Sequence, residues 1–458
     1  MSRQGRQPNE ALRSVLQEAG MSYAALARRV REVAAENGDD TVRTSSAAVA
    51  YWVAGTPPRT TTTRYVAEAL SRRLGRLVTP ADIGLPSPED AGGPGLAADP
   101  VESLAHLGRA DVDRRRFLST TAYSVSALAL PLSPGTAEAA QRARRADAGG
   151  RIGAAEIATV REVTKVFTRA DERLGGDTGR SAVVEYLATD VAAYCRGTFA
   201  DDGVRRGMFG AAAELAYLAG WKAHDAGRAG LAQRYYLHSF QLAEEADPRA
   251  HAGYVLRILA HQAFDNGHNT HCVDLADAAL NRVRRRVDKE TESLFWLTLA
   301  RAHAAEGNRA GALSAITTAE RLMDTAKTDQ PPGWASLGGP PEARLANQTA
   351  KALTALRDVK AAEEQYRRSA RCWNPATHPR IHALTLADLG HAQLWQGRMD
   401  SACGTWTTAL RGLRGVNSAR AREAVADMRR SLTVFRNRGS AEATRLDEHA
   451  AAWQSANT

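Results

Sequence analysis

Apolar positions recur three and four residues apart over most of the chain, and the two-residue alternation of a strand never persists, so an all-α protein is predicted. Near the start, Leu12, Val15, Leu16 and Ala19 form one helical stripe, which Asn9 can cap and Gly20 can end. Ser22 precedes a second stripe of Tyr23, Leu26, Ala27 and Val30. Beyond a polar break at residues 38–44, a third helix begins at Ser45 and runs to Gly55, with Val49, Trp52 and Val53 expected to face inward. Further helical signals at Tyr65–Leu70 and Val78–Leu85 predict a fourth and a fifth helix.

The second half is periodic. The turn Gly227-Arg-Ala-Gly-Leu-Ala232 aligns with segments starting at Gly267, Gly307, Arg357 and Gly397, in steps of 40, 40, 50 and 40 residues. Nine residues beyond each turn comes Tyr236, Ala276, Ile316, Tyr366 or Trp406, and three further on a small residue: Ser239, Ala279, Ala319, Ser369 or Ala409. The ten extra residues before the fourth copy coincide with the proline- and glycine-rich stretch 330–341, which cannot be helical. Five such units can stack around one continuous core, with 153–211 and 418–453 supplying capping helices.

These patterns divide the chain into an N-terminal bundle at 1–85, a flexible linker at 86–150 and a repeat domain at 151–453. Within the linker, Arg114-Arg-Arg-Phe-Leu118 and the apolar run that follows resemble a twin-arginine export signal over 114–139, although such signals stand at the N-terminus. An amphipathic helix lying on the repeats or at a surface is the competing reading. Polar residues follow Met1, and no run of about 18 apolar residues occurs, so a cytoplasmic chain with no membrane contact is expected.

The N-terminal order, Ser22 then Leu26-Ala27, Ser45 to Val49, and Trp52-x2-Gly55-x-Pro57, resembles the helix-turn-helix family of phage-repressor and xenobiotic-response-element (XRE) regulators. The connection from the second helix to the third is longer than that family's tight turn. The repeat spacing resembles tetratricopeptide units, with the first-helix glycine present at Gly220 and Gly390 and replaced by Ala260 and Ala300. Ala170–Asp177 and Val184–Leu187 look like the segment preceding the repeats in regulators that join the two parts. The resemblance implies a helix-turn-helix bundle followed by a tetratricopeptide-like (TPR) α-solenoid. It implies a DNA-binding transcriptional regulator whose array senses a peptide or protein partner or mediates self-association as a homodimer; the alternative is an interaction adaptor without DNA binding.

On that likeness Ser45, Ser46, Ala47, Ala50 and Tyr51 would face base edges of double-stranded DNA, while Arg43, Thr44, Arg59 and Arg64 would meet phosphates. The surface is poor in side chains that read bases bidentately, so DNA shape or half-site spacing would supply part of the specificity. The first helix of each tetratricopeptide unit lines the concave groove. Six and ten residues before the turns this puts Trp221, His261, Arg301, Lys351 and His391, with Tyr217, Arg257 and Asn347, on the partner-facing side. A cationic and aromatic stripe of that kind suits a ligand carrying carboxylates.

Composition adds little beyond this. Of 60 basic residues only six are lysine, and the net charge of +9 permits a nucleic-acid partner without requiring one. Residues 1–85 hold 12 arginines against 8 acids, a modest electrostatic footprint. Four dispersed cysteines form no metal or disulfide framework, and the spacing of His261, His268, His271 and Cys272 fits no familiar zinc arrangement. No nucleotide-binding, metallohydrolase or nucleophile-elbow motif occurs in a supporting context, so neither an enzyme nor a cofactor is expected.

Overall fold

A computed structural model describes residues 7–37, 39, 41–86, 99–112, 149–247, 249–269, 271–326 and 331–457. The twin-arginine-like segment at 114–139 lies outside them.

The first four helices are α1 (Glu10–Glu18), α2 (Tyr23–Glu36), α3 (Ser46–Val53) and α4 (Thr60–Leu74). The side chains of Asn9, Ser22 and Ser45 accept from the backbone N–H of Leu12, Ala25 and Ala48, which satisfies donors that each helix start leaves free. One core joins them, built around Leu12, Leu26, Val30, Val49, Trp52, Val66 and Leu70. The expected fifth helix is only a 3-10 turn at Ala81–Ile83, which seats Ile83 in that core.

The linker reading of 86–150 needs correction. Residues Pro100–Val112 form helix α5, with Val101, Leu104, Ala105 and Leu107 buried in the core of the repeat half. At its end Asp111, 1% exposed at the side chain, pairs with Arg180 and accepts from the Tyr235 hydroxyl at 2.9 Å. The Gly/Pro composition around this stretch masked a short amphipathic helix.

Helices α6 (Ala154–Leu174) and α7 (Arg180–Tyr186) follow, and α7 runs through a π turn at Leu187–Val191 into Ala192–Cys195. The all-α expectation has one exception among the described residues: strands β1 (Gly149–Ile152) and β2 (Gly197–Phe199) pair in parallel, with Ile152 opposite Phe199. Five helical hairpins come next: α8 (Asp202–Asp225) with α9 (Ala229–Ala246), α10 (Ala250–Asp265) with α11 (Cys272–Val283), α12 (Lys289–Ala305) with α13 (Arg309–Asp324), α14 (Pro341–Ala355) with α15 (Val359–Cys372), and α16 (Pro379–Trp395) with α17 (Met399–Gly412). Helices α18 (Ala419–Asn437) and α19 (Ala441–Ala456) end the stack. Successive hairpins pack on one another in chain order, which makes the repeat half an α-solenoid.

Four of the five hairpins bring together residues 16 apart. Gly220 lies against Tyr236 and Gly390 against Trp406, where an added Cβ would come within 2.6 and 2.3 Å of the rings. Ala300 shares a cluster with Ile316, and Ala350 one with Tyr366. In these four a small side chain meets a larger one, so the helices approach closely where the partner ring is largest. Ser239 and Ser369, at equivalent positions, each donate to a carbonyl 26 residues earlier, Ala213 and Ala343, at 2.9 Å.

The solenoid closes on its own beginning. Arg380 at the start of α16, 1% exposed, reaches Asp171 of α6 at 2.6 Å and Asp225 of α8 at 2.9 Å. Lys222 lies 3.4 Å from Asp171, while the Gly176 amide and the Ser418 hydroxyl donate to Asp225. The Asn417 amide also donates to the Leu174 carbonyl at 2.8 Å. Buried charges are stable only when paired and hydrogen-bonded, and the Asp171 and Asp225 carboxylates meet both conditions, the first across about 200 residues of chain.

Candidate functional site

Closure leaves a cavity of about 170 Å³ inside the array, walled by α6, by the first helices of the hairpins and by Arg420 of α18. Seven of the eight residues expected at the partner groove lie on its wall: Tyr217, Trp221, Arg257, His261, Arg301, Asn347 and Lys351. His391 lines a neighbouring cavity of about 510 Å³. The sequence stripe missed Tyr254, Leu294 and Arg344, which repeat it one helical turn earlier, 13 residues before their turns. It also missed Asp171, Arg380 and Trp373, which come from α6, the start of α16 and the residue after α15, and which only ring closure brings to the wall.

Arginines dominate the wall, and aromatic rings hold them. Arg257 lies 4.6 Å over Tyr254, Arg301 4.5 Å over Phe264 and Arg420 5.4 Å over Trp221. Arg301 is compensated, bonding Asp265 at 3.0 Å and Gln348 at 3.1 Å. Desolvation of the Asp265 carboxyl is outweighed by Arg301 and Lys351, which keep it below the usual carboxylate range.

His261 is a hub of the wall and not a free contact. Arg301 lies 3.0 Å from Nδ1, so that nitrogen accepts. The Thr298 hydroxyl donates to the Leu294 carbonyl, so at 3.0 Å it accepts from His261 Nε2–H. Burial, reinforced by Arg257 and Arg301, pushes the His261 pKa well down and keeps the ring neutral. Nε2 therefore carries the hydrogen, and the Arg257 Nη1 atom 3.2 Å away faces an N–H and not an acceptor. Asn347 is likewise committed, donating to Thr385 at 3.2 Å.

That leaves Arg257 with no carboxylate partner among the described residues, and its buried Nε makes no hydrogen bond. Arg344 is little better placed: its buried Nε is also unpaired, Glu290 is 3.6 Å away, and burial lowers its pKa, with Arg257 adding to the effect. The two guanidinium groups line the cavity together with the Tyr217 and Tyr254 rings, which lie 5.2 Å apart.

In the N-terminal bundle, Ser45, which caps α3, and Ser46, Ala47 and Ala50 on it are exposed, as is Tyr51 at 65%. Arg43 and Arg59 are also exposed. Thr44 is not available to a phosphate: its side chain is buried and its carbonyl accepts from Arg31. Arg64 is half-buried and donates to the Tyr65 hydroxyl at 2.7 Å. No described helix is long and apolar enough to cross a membrane.

The family model for the SP15 N-terminal domain matches residues 12–86. No curated protein matches the chain. Among solved structures, the human IFIT1 dimer with m7Gppp-AAAA is 13% identical, with a TM-score of 0.36, and the match covers 98% of this chain and 91% of that one. That likeness is too distant to carry a fold or a ligand across. The expected membership in the phage-repressor and XRE family is overturned, because the model that fits the N-terminal bundle is the SP15 one. Capped helices around a Leu/Val/Trp core are common to many small bundles, and that order had suggested a more specific family than it can define.

Proposed function

We propose that the chain is an interaction protein whose solenoid receives an acidic segment of a partner in its central cavity. Support comes above all from Arg257, half-buried and without a carboxylate among the described residues, beside Arg344, whose burial disfavours its charge: an incoming carboxylate offsets that cost while gaining charge-assisted hydrogen bonds. Stacking on Tyr254 orients the Arg257 guanidinium before binding, so little side-chain entropy is lost. The full chain is expected to bind an end-blocked glutamate peptide, more weakly as salt rises. Arg257→Met should weaken that binding by about tenfold to a hundredfold in calorimetry. Equal affinity in the variant would remove the basis of this reading.

A second reading rests on the outward edge of α3, where Ser46, Ala47, Ala50 and Tyr51 form an exposed strip with Arg43 and Arg59 near it. Such an edge can lie against a duplex groove, which would make the array the sensing part of a DNA-binding regulator. Duplex binding with a steep salt dependence, weakened by Arg59→Ala, is the expected result; no binding at low salt discards the reading.

A further inference from the structure

The neighbouring cavity of about 510 Å³ shares Asp265, Lys351 and Arg420 with the first, so the two are chambers separated by one charged wall. Their chemistry is opposite. In the second chamber Asp388, Glu423 and Asp427 line the surface with the aromatic side chains Tyr366, His391 and Trp395. Asp427 is paired with Arg430. Among the described residues neither Asp388 nor Glu423 makes an ion pair within 4.0 Å, although Lys351 in the wall faces Asp388. Asp388, His391 and Trp395 stand at i, i+3 and i+7 of α16 and so share one face. Trp395 is 57% exposed, and its ring centroid lies 6.1 Å from that of His391. A large indole left open at a cavity, on the same helical face as a carboxylate that makes no ion pair within 4.0 Å among the described residues, is a surface that a cation can cover.

We infer that the second chamber is a cation subsite, and that the ligand is bipolar: a polypeptide segment whose carboxylate enters at Arg257 and Arg344 and whose lysine, arginine or free amino terminus, a few residues away, lies over Trp395 beside Asp388. This rests on the reading of the first chamber only for the anionic end. The cationic end stands on the second chamber's own residues. The shared wall explains how one ligand spans both, because Lys351 and Asp265 present alternating charge between the two ends.

Three end-blocked peptides titrated into the full chain test it: triglutamate, triglutamate joined to lysine through one to four glycines, and the glycine–lysine part alone. The bipolar peptide should bind about tenfold tighter than triglutamate at its best spacer length. Asp388→Asn combined with Trp395→Ala should abolish that gain and leave triglutamate unchanged, and circular dichroism should show the variant folded, since neither side chain is buried. A bipolar peptide no better than triglutamate, or a gain that survives in the double variant, overturns the inference. If triglutamate itself does not bind, the first-chamber reading fails alone, and the glycine–lysine peptide decides the second chamber: binding lost in the double variant supports it, and no binding overturns it.

Discussion

Gly390 shows how little latitude the hairpin contacts leave. The Trp406 indole nitrogen would lie 2.3 Å from a Cβ there, and the indole is fixed in turn by its donation to the Ala387 carbonyl at 3.0 Å. Trp406 cannot swing aside, because it is fully buried. Gly390→Ala should therefore destabilise the array by roughly 1–3 kcal/mol, as overpacking does elsewhere, despite the better helix propensity of alanine. The denaturant midpoint of the variant measures this, and an unchanged or raised midpoint would contradict the packing account. Ala300→Gly makes the converse control, since its partner Ile316 is smaller and the position is not crowded in the same way.

At the scale of the element, the turns between paired helices repeat one backbone conformation. Gly227, Gly267, Gly307 and Gly397 have φ between +73° and +79°, and the equivalent position in the fourth hairpin is Arg357 at +62°. A left-handed conformation places a β-carbon against the backbone, which glycine avoids. The Arg357 side chain is exposed. Arg357→Gly should stabilise the protein by about 0.5–1 kcal/mol, the relief of strain being offset in part by the greater freedom of glycine in the unfolded chain. A lower thermal midpoint in the variant would show that the arginine makes a contact worth more than the strain it carries.

At the scale of the whole molecule, packing of the stacked hairpins dehydrates groups that water would otherwise keep near their usual ionisation. Burial lowers the pKa of His224 to about 4 and that of His238 and His251 to about 3, and takes His261 well below its ordinary value. The unfolded chain binds protons at these sites from about pH 6.5 downward while the folded chain does not, so their stabilising contribution is present above pH 6.5 and is lost as the pH falls toward the folded values. Each histidine should cost roughly 1–2 kcal/mol by pH 5. A urea midpoint that falls between pH 7 and pH 5, less steeply in His238→Gln, is the expected result; a flat profile would mean that water reaches these rings. Closure of the ring places Arg380 between Asp171 and Asp225, so the cavity depends on that buried network.

The helical periodicity, the caps at Asn9, Ser22 and Ser45, the five turns and the alternating small and large positions were legible from the sequence, because each depends on residues within about one hairpin of each other. Seven residues of the cavity wall were legible for the same reason: a stripe at fixed distance from a turn lies on one helix face. Helix α5 was hidden by the Gly/Pro-rich stretch before it, and the N-terminal family was misjudged because its helix order is not distinctive. Tertiary structure alone decided which charges remain unpaired. Asp171 and Arg380 meet across 209 residues, His261 takes its proton position from Thr298 on the next hairpin, and Arg257 is left without an acceptor as a result. Local sequence determines which face a side chain occupies, but whether its charge is satisfied depends on groups that only the closed ring brings within hydrogen-bonding distance.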